Sequence, residues 1–152
     1  MKIIKQTLAL IGVLIIGFVL GAYSFSKTRP RTFVAVSNCA GRCLRPDELV
    51  GLISSVGIQR FSGLIPGKVK ETDKTIVLEQ PASAPYVHYI VIPKQDIKNI
   101  GDLSDSDREY LVDAFNVMSD LVRENKLREY QITSNGPGFQ TVTYLHFHVT
   151  GK

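Results

Sequence analysis

The sequence predicts an α+β domain: a mainly antiparallel five-stranded sheet packed with a long helix, preceded by a transmembrane helix. Three observations carry this expectation. Residues 7–26 form an uncharged run dominated by Leu, Ile, Val and Gly. Five short apolar or alternating runs, set apart by turn-forming residues, read as strands. Between the third and fourth of them lies one long segment with helical periodicity and its own start signal.

The run from Thr7 to Ser26, at about 1.5 Å per residue, is long enough for a hydrocarbon core of about 30 Å. It is apolar on every face, which argues against a helix half-buried on a soluble core. Lys2 and Lys5 precede it, so a cleaved signal peptide competes with an uncleaved anchor. The small-residue site at Ala22-Tyr23-Ser24 is weak and the run is long for a signal, which favours the anchor. Lys27, Arg29 and Arg31 balance the basic residues on the other flank, so charge bias does not orient the segment. Cys39 and Cys43 are close enough for a disulfide in an oxidising compartment. They could equally be two loop thiols, or half of a zinc site for which no second pair exists. The disulfide reading makes this a single-pass membrane protein with an extracytoplasmic domain.

The remaining chain divides into a linker and N-terminal helical segment over residues 27–60 and a folded domain over 61–152. Pro46-Asp47-Glu48 opens a helix with Leu49, Leu52, Ile53 and Val56 at helical spacing. After the break from Gly63 to Gly67, Lys68–Glu71 and Thr75–Leu78 read as strands joined through Thr72-Asp73-Lys74. Pro81 and Pro85 mark the loop before a central strand, His88–Ile92, which Pro93 bounds. Ser104 and Asp107 make an Asp version of the capping box. Leu111, Phe115, Met118 and Val122 then follow at helical spacing and read as core. Tyr130–Thr133 is a strand, Ser134–Phe139 a Gly/Pro turn, and Gln140–Val149 a long final strand.

The net charge of +4 includes the two lysines of the anchor flank. Residues 27–152 hold 16 basic against 14 acidic side chains, a net charge of +2. That near balance gives no warrant for nucleic acid as a partner.

In the final strand, alternation places Gln140, Val142, Tyr144, His146 and His148 on one face. The other face, ending in Leu145, Phe147 and Val149, is apolar and suits packing on the long helix. Two imidazoles at two-residue spacing can share one reaction, the first attacking or taking a proton while the second donates to developing negative charge. Asn135-Gly136-Pro137-Gly138, just before the strand, could offer backbone N–H groups and an amide to a phosphate. The residues alone also allow an exposed His-x-His pair without chemistry, or a two-histidine metal site, although no further ligand is identifiable. His88, at the head of a buried strand, reads as a residue that hydrogen-bonds within the core.

Residues Gln140 to Gly151 resemble the signature of the histidine-triad (HIT) superfamily, in which histidines alternate with apolar residues after a Gln-Ser/Thr pair. Ala84-Pro85, His88 and Tyr89–Lys94 are similar to the region around that family's central strand, and Asn135 matches the Asn before its glycine loop. The likeness covers roughly residues 64–151 and is strongest to the Hint branch of nucleoside phosphoramidases and nucleotide hydrolases, commonly homodimeric. It implies that His146 is the nucleophile towards an α-phosphorus and that His148 contacts a non-bridging oxygen. It further implies that Gln140 and Thr141 hold phosphate oxygens or the leaving group, that Asn135 orients the substrate, and that Leu78, Glu79 and Gln80 lie where the nucleoside is contacted. It implies no cofactor and no metal. Tyr144 stands where the family has its first histidine, and the Asp that meets the ribose is missing near Glu79 and Gln80.

The expectation is therefore a membrane-tethered hydrolase of nucleotide phosphoramidates or phosphoanhydrides, working through a nucleotidyl-histidine on His146. Its partners would be a nucleotide or nucleotide-activated small molecule, the membrane through residues 7–26, and a second copy of the chain. Two alternatives accompany it: a non-catalytic nucleotide- or phosphate-binding module with a degenerate triad, and a pyrophosphatase of CDP-activated lipid.

Overall fold

The computed structural model describes residues 2–34, 43–84 and 86–152. Helix α1 spans Lys2–Phe25, and its portion Ile4–Phe25 is long and apolar enough to cross a membrane. All side chains from residue 13 to residue 20 are exposed, as expected of a helix with no polar face to turn away from a core. Helix α2 (Pro46–Arg60), strands β1 (Lys68–Glu71), β2 (Thr75–Gln80) and β3 (Val87–Pro93), helix α3 (Arg108–Glu124), and strands β4 (Tyr130–Thr133) and β5 (Phe147–Gly151) follow. The strands make one antiparallel sheet in the order β1-β2-β3-β5-β4, so the α+β, five-stranded expectation describes the fold.

Local chemistry accounts for several boundaries. The Thr72 hydroxyl accepts from the amides of Lys74 (3.2 Å) and Thr75 (2.8 Å), which closes the β1–β2 hairpin. The Ser104 amide donates to Asp107 Oδ2 at 2.9 Å, the capping box expected from the sequence. Residues Asp105–Asp107 form a 3₁₀ turn, and α3 starts one residue later.

Strand alternation sorts the core into two layers. Against α3, Val77, Val91, Leu145, Phe147 and Val149 pack with Ala114, Val117, Met118 and Leu121. On the opposite face, Ile76, Ile92 and Tyr144 pack with Ile58 of α2, and Leu78, Ile90 and Val142 adjoin them. Phe115, expected in the core, is 55% exposed and meets Phe147 at the margin of the sheet, with ring centroids 5.6 Å apart. The buried stripe of α3 is turned towards Ala114 and Val117, and β4, exposed at all four positions, offers Phe115 no cover.

The final strand is shorter than its sequence predicts. Strand β5 begins at Phe147, and residues 141–144 are bends. The cause is tertiary: the amides of Thr143, Tyr144 and Leu145 donate to the carbonyls of Asp47 (3.4 Å), Val142 (2.8 Å) and Ile97 (2.6 Å). Strand β3 also ends at Pro93, which has no N–H to extend the ladder. The two-residue alternation nevertheless holds from Tyr144 to Val149, with Tyr144, His146 and His148 on one side.

Residues 27–34 run along the domain. The Arg29 amide donates to Asp96 Oδ2 at 2.8 Å, and its guanidinium meets Asp107 at 2.5 Å. Arg31, with a side chain only 1% exposed, meets Asp96 at 2.5 Å and Glu48 at 3.4 Å. It also donates to the carbonyl and hydroxyl of Thr143, both at 2.7 Å. Gly51 of α2 faces this cluster: a Cβ there would lie 2.3 Å from the Thr143 hydroxyl and 2.6 Å from Arg31 Nη1. Glycine thus lets α2 close on the segment before β5. Cys43 is disulfide-bonded. Cys39, the partner expected for it, and Pro85, expected in the loop before β3, lie outside the described residues.

Candidate active site

The register of the sheet assembles a cluster that the linear sequence does not display. Ile90 pairs with His148 and His88 with Thr150 across β3 and β5, so His88 and His148 are diagonal neighbours on one face. His88 Nε2 and His148 Nδ1 lie 2.9 Å apart, one nitrogen donating to the other. The His148 ring lies 5.1 Å from that of His88 and 5.0 Å from that of His146, centroid to centroid. Three imidazoles therefore stand in a row, the third supplied by a neighbouring strand.

His146 and His148 of this row border a cavity of about 380 Å³, within the range of small-molecule sites, with His88 behind His148. Tyr144, Ile90 and Ile92 line the sheet side, Ser54 and Ile58 come from α2, and Gln80 from β2. Asn135, Phe139, Thr141 and Val142 come from the chain leading into β5. Of the residues expected at the site, His146, His148, Asn135 and Thr141 are thus brought together. Gln140 is not: its side-chain amide donates to the Lys98 carbonyl at 3.1 Å, and it lines a neighbouring hollow with Arg45 and Lys98. The same bends that shorten β5 turn Gln140 away and bring Thr141 in. Leu78 packs beside the apolar cluster below the site, and Glu79 borders a separate hollow with Gly67 and Tyr86. Gln80 borders both that hollow and the histidine cavity. Sequence reasoning missed Ser54, Ile58 and Phe139, and it placed His88 in the core; Gln80 belongs to the stretch expected to meet the nucleoside, and it is the residue of that stretch on the cavity. The one available signal for His88 was parity, since His88, Ile90 and Ile92 must share a face.

The proton inventory of the cluster follows from its partners. His146 Nδ1 lies 2.7 Å from the Tyr144 carbonyl oxygen. A carbonyl only accepts, so Nδ1 carries the hydrogen and the neutral ring keeps its lone pair on Nε2. The Ser134 hydroxyl donates to the His146 carbonyl at 2.9 Å and steadies the backbone there. Tyr144, 2% exposed, donates its hydroxyl to the Pro93 carbonyl at 3.0 Å, and burial raises its pKa well above that of free tyrosine. It is a neutral brace between the end of β3 and the approach to β5.

Burial, aided by His146 and His88, holds the His148 imidazole below the ordinary histidine pKa of 6.5. The unfolded chain takes up this proton near pH 6.5, whereas the folded chain resists it until lower pH. The stability contributed by neutral His148 is therefore complete above pH 6.5 and lost as pH falls through the folded pKa. Urea midpoints are expected to drop below pH 6.5 in the native chain and to drop less steeply in His148→Asn. Parallel profiles would refute that assignment. Among the described residues, no group of three or more His, Cys, Asp and Glu side chains is arranged to hold a metal ion.

A five-stranded antiparallel sheet with a long helix on one face and this histidine row on the other defines a histidine-triad domain. Residues 64–152 match the family described as "Scavenger mRNA decapping enzyme C-term binding", and the chain belongs to that family, within the histidine-triad superfamily. An uncharacterized HIT-like protein of Chlamydia muridarum (strain MoPn / Nigg) is 29% identical over 87 residues, 55% of this chain and 69% of the relative. A HIT family hydrolase from Clostridium thermocellum superposes with a TM-score of 0.54 at 25% identity, covering 64% of this chain and 89% of that one. The HIT family hydrolase from Legionella pneumophila Philadelphia 1 gives 0.53 at 28%, covering 60% and 87%.

Proposed function

We propose that this chain is a membrane-tethered nucleotide phosphohydrolase in which His146 attacks the α-phosphorus and carries a transient nucleotidyl group. The observation that carries the reading is the bond from His146 Nδ1–H to the Tyr144 carbonyl, because it commits the Nε2 lone pair to nucleophilic attack. In the first step, an Nε2–P bond forms and the bond from phosphorus to the leaving oxygen or nitrogen breaks, the leaving group taking a proton from solvent water. The phosphorylated ring is then cationic, and its Nδ1–H bond to Tyr144 becomes charge-assisted. In the second step, water attacks phosphorus and releases a proton to solvent, the P–Nε2 bond breaks, and a nucleoside monophosphate leaves with His146 neutral again. His148, held by His88, would face a non-bridging oxygen. Asn135 and Thr141 are the further polar groups on the cavity that would hold the phosphate, with Gln80 towards the nucleoside.

The names of similar proteins support this class: two are HIT family hydrolases, and the matching family is described by mRNA decapping. A cap is a nucleotide joined through a phosphoanhydride, the bond type proposed here. Residues 64–152 would form the hydrolytic unit and α1 the single-pass tether. The test is mass spectrometry of the full-length chain quenched in acid-free denaturant during turnover of adenosine 5′-phosphoramidate and diadenosine polyphosphate. A nucleotidyl adduct on His146 is expected. Binding of these nucleotides with neither adduct nor hydrolysis would favour a non-catalytic module, a reading that the outward turn of Gln140 supports.

We also propose that two copies associate through β4. It is the edge of the sheet, with Tyr130 53% and Ile132 38% exposed, and the exposed ring of Phe115 belongs to the same hollow. Light scattering in detergent should give a dimer, and Ile132→Lys a monomer; a monomeric native chain would refute it.

A further inference from the structure

Helix α2 is inside out. Its buried residues are Glu48, Gly51, Ser55 and Ile58, three of the four polar or lacking a side chain. Leu49, Val50 and Ile53 are 51%, 42% and 63% exposed, and half-buried Val56 continues their side of the helix. The inward preference has a cause within the chain: Glu48 meets Arg31, and Gly51 admits Arg31 and Thr143. The outward preference has no such partner among the described residues.

The positions 49, 53, 56 and 60 fall on one helical stripe, spaced by four, three and four. The stripe ends at Arg60, and Arg60 is fastened to the end of α1. Its guanidinium donates to the Tyr23 carbonyl and the Ser26 hydroxyl, both at 2.8 Å, and lies 4.0 Å from the centre of the Tyr23 ring. Gln59 reaches the Lys27 carbonyl at 3.5 Å. Helix α1 is otherwise exposed between residues 13 and 20, so α2 does not run beside it and departs from its end.

We infer that the Leu49–Ile53–Val56 stripe lies in the headgroup region of the same bilayer that α1 crosses, making α2 an in-plane interfacial helix. This rests on the membrane tether proposed above. An apolar face on a helix that leaves the terminus of a spanning helix meets lipid before it meets water. A second copy of the chain is the competing occupant, but the fastening of Arg60 to Tyr23 and Ser26 makes this stripe continuous with the anchor. Ser54 and Ile58 on the other side of α2 line the histidine cavity. The cavity then stands about one helix diameter, ~10 Å, from the lipid surface.

The chain contains no tryptophan, so single introduced tryptophans report one position each. Full-length Ile53→Trp, Leu49→Trp, Phe18→Trp and Val112→Trp would be reconstituted in phosphatidylcholine vesicles with lipids brominated near the headgroup end of the acyl chains. Ile53 and Leu49 are exposed, so the substitutions do not disturb the core. Both tryptophans are expected to be quenched about twofold or more relative to unbrominated vesicles, as for an interfacial helix. Phe18→Trp, in the anchor, should be quenched as well, and Val112→Trp on α3 should not. Quenching at Phe18 without quenching at 49 and 53 overturns the inference while leaving the tether intact. No quenching at Phe18 overturns the tether and the inference with it. A blue-shifted but unquenched signal at 53 would mean that protein covers the stripe, which also overturns it.

Discussion

Full-length His146→Asn is expected to lose about 10³-fold or more of kcat/KM towards nucleoside phosphoramidates and dinucleoside polyphosphates, as removal of a covalent nucleophile does elsewhere. Asparagine is the informative choice. Its side-chain amide can still donate to the Tyr144 carbonyl, replacing the 2.7 Å bond of Nδ1, so the geometry before β5 persists. What disappears is the Nε2 lone pair. The variant should bind a nucleoside monophosphate with near-native affinity, unfold at the native urea midpoint, and show no covalent adduct. If hydrolysis continues at the native rate, His146 is not the nucleophile.

Arg31→Met should destabilise the domain by about 3–5 kcal/mol, the typical cost of removing one partner from a buried ion pair. Methionine keeps most of the side-chain stem and deletes the charge. Asp96, 1% exposed, then loses the guanidinium that neutralises it, while Glu48, 4% exposed, keeps the more distant Arg45 (3.5 Å) and Lys98 (4.0 Å). The Thr143 carbonyl and hydroxyl lose a donor at the same time. The check is urea unfolding of the full-length chain in detergent, with Arg31→Met/Asp96→Leu alongside. The double variant should recover part of the loss, because it removes the stranded carboxylate as well. A single variant within about 1 kcal/mol of native would sink the argument, since a buried charge cannot be left uncompensated so cheaply. Because Thr143 precedes Tyr144 and the histidine row, hydrolysis should fall with stability.

Features encoded within a few residues were legible in the sequence. The capping box at Ser104, the Thr72–Thr75 turn and the apolar run of α1 each depend on local chemistry, and the parity of Tyr144, His146 and His148 needs only an extended backbone. Misreadings arose where distant partners decide. Ile97 and Asp47 capture the amides that would have prolonged β5, and no pattern between residues 140 and 145 announces them. Arg29 and Arg31 read as linker charges because their carboxylates, Asp96 and Asp107, lie more than 60 residues away. His88 joined the site only through the β3–β5 register. In helix α2 the spacing marks the helix correctly but does not say which side is buried, and the buried side carries Glu48, Gly51, Ser55 and Ile58.

Phe25 ends α1, and the backbone of Arg29 is already fixed on Asp96. Only residues 26–28 lie between them, a length of chain that can extend at most about 14 Å. Seated in a bilayer, such a molecule would have almost no reach. Its altitude would be a constant of the structure, and its remaining freedoms would be drift in two dimensions and spin about one axis. Encounters with a partner on the same surface would then follow numbers per unit area rather than bulk concentration, and crowding in the plane would set their frequency.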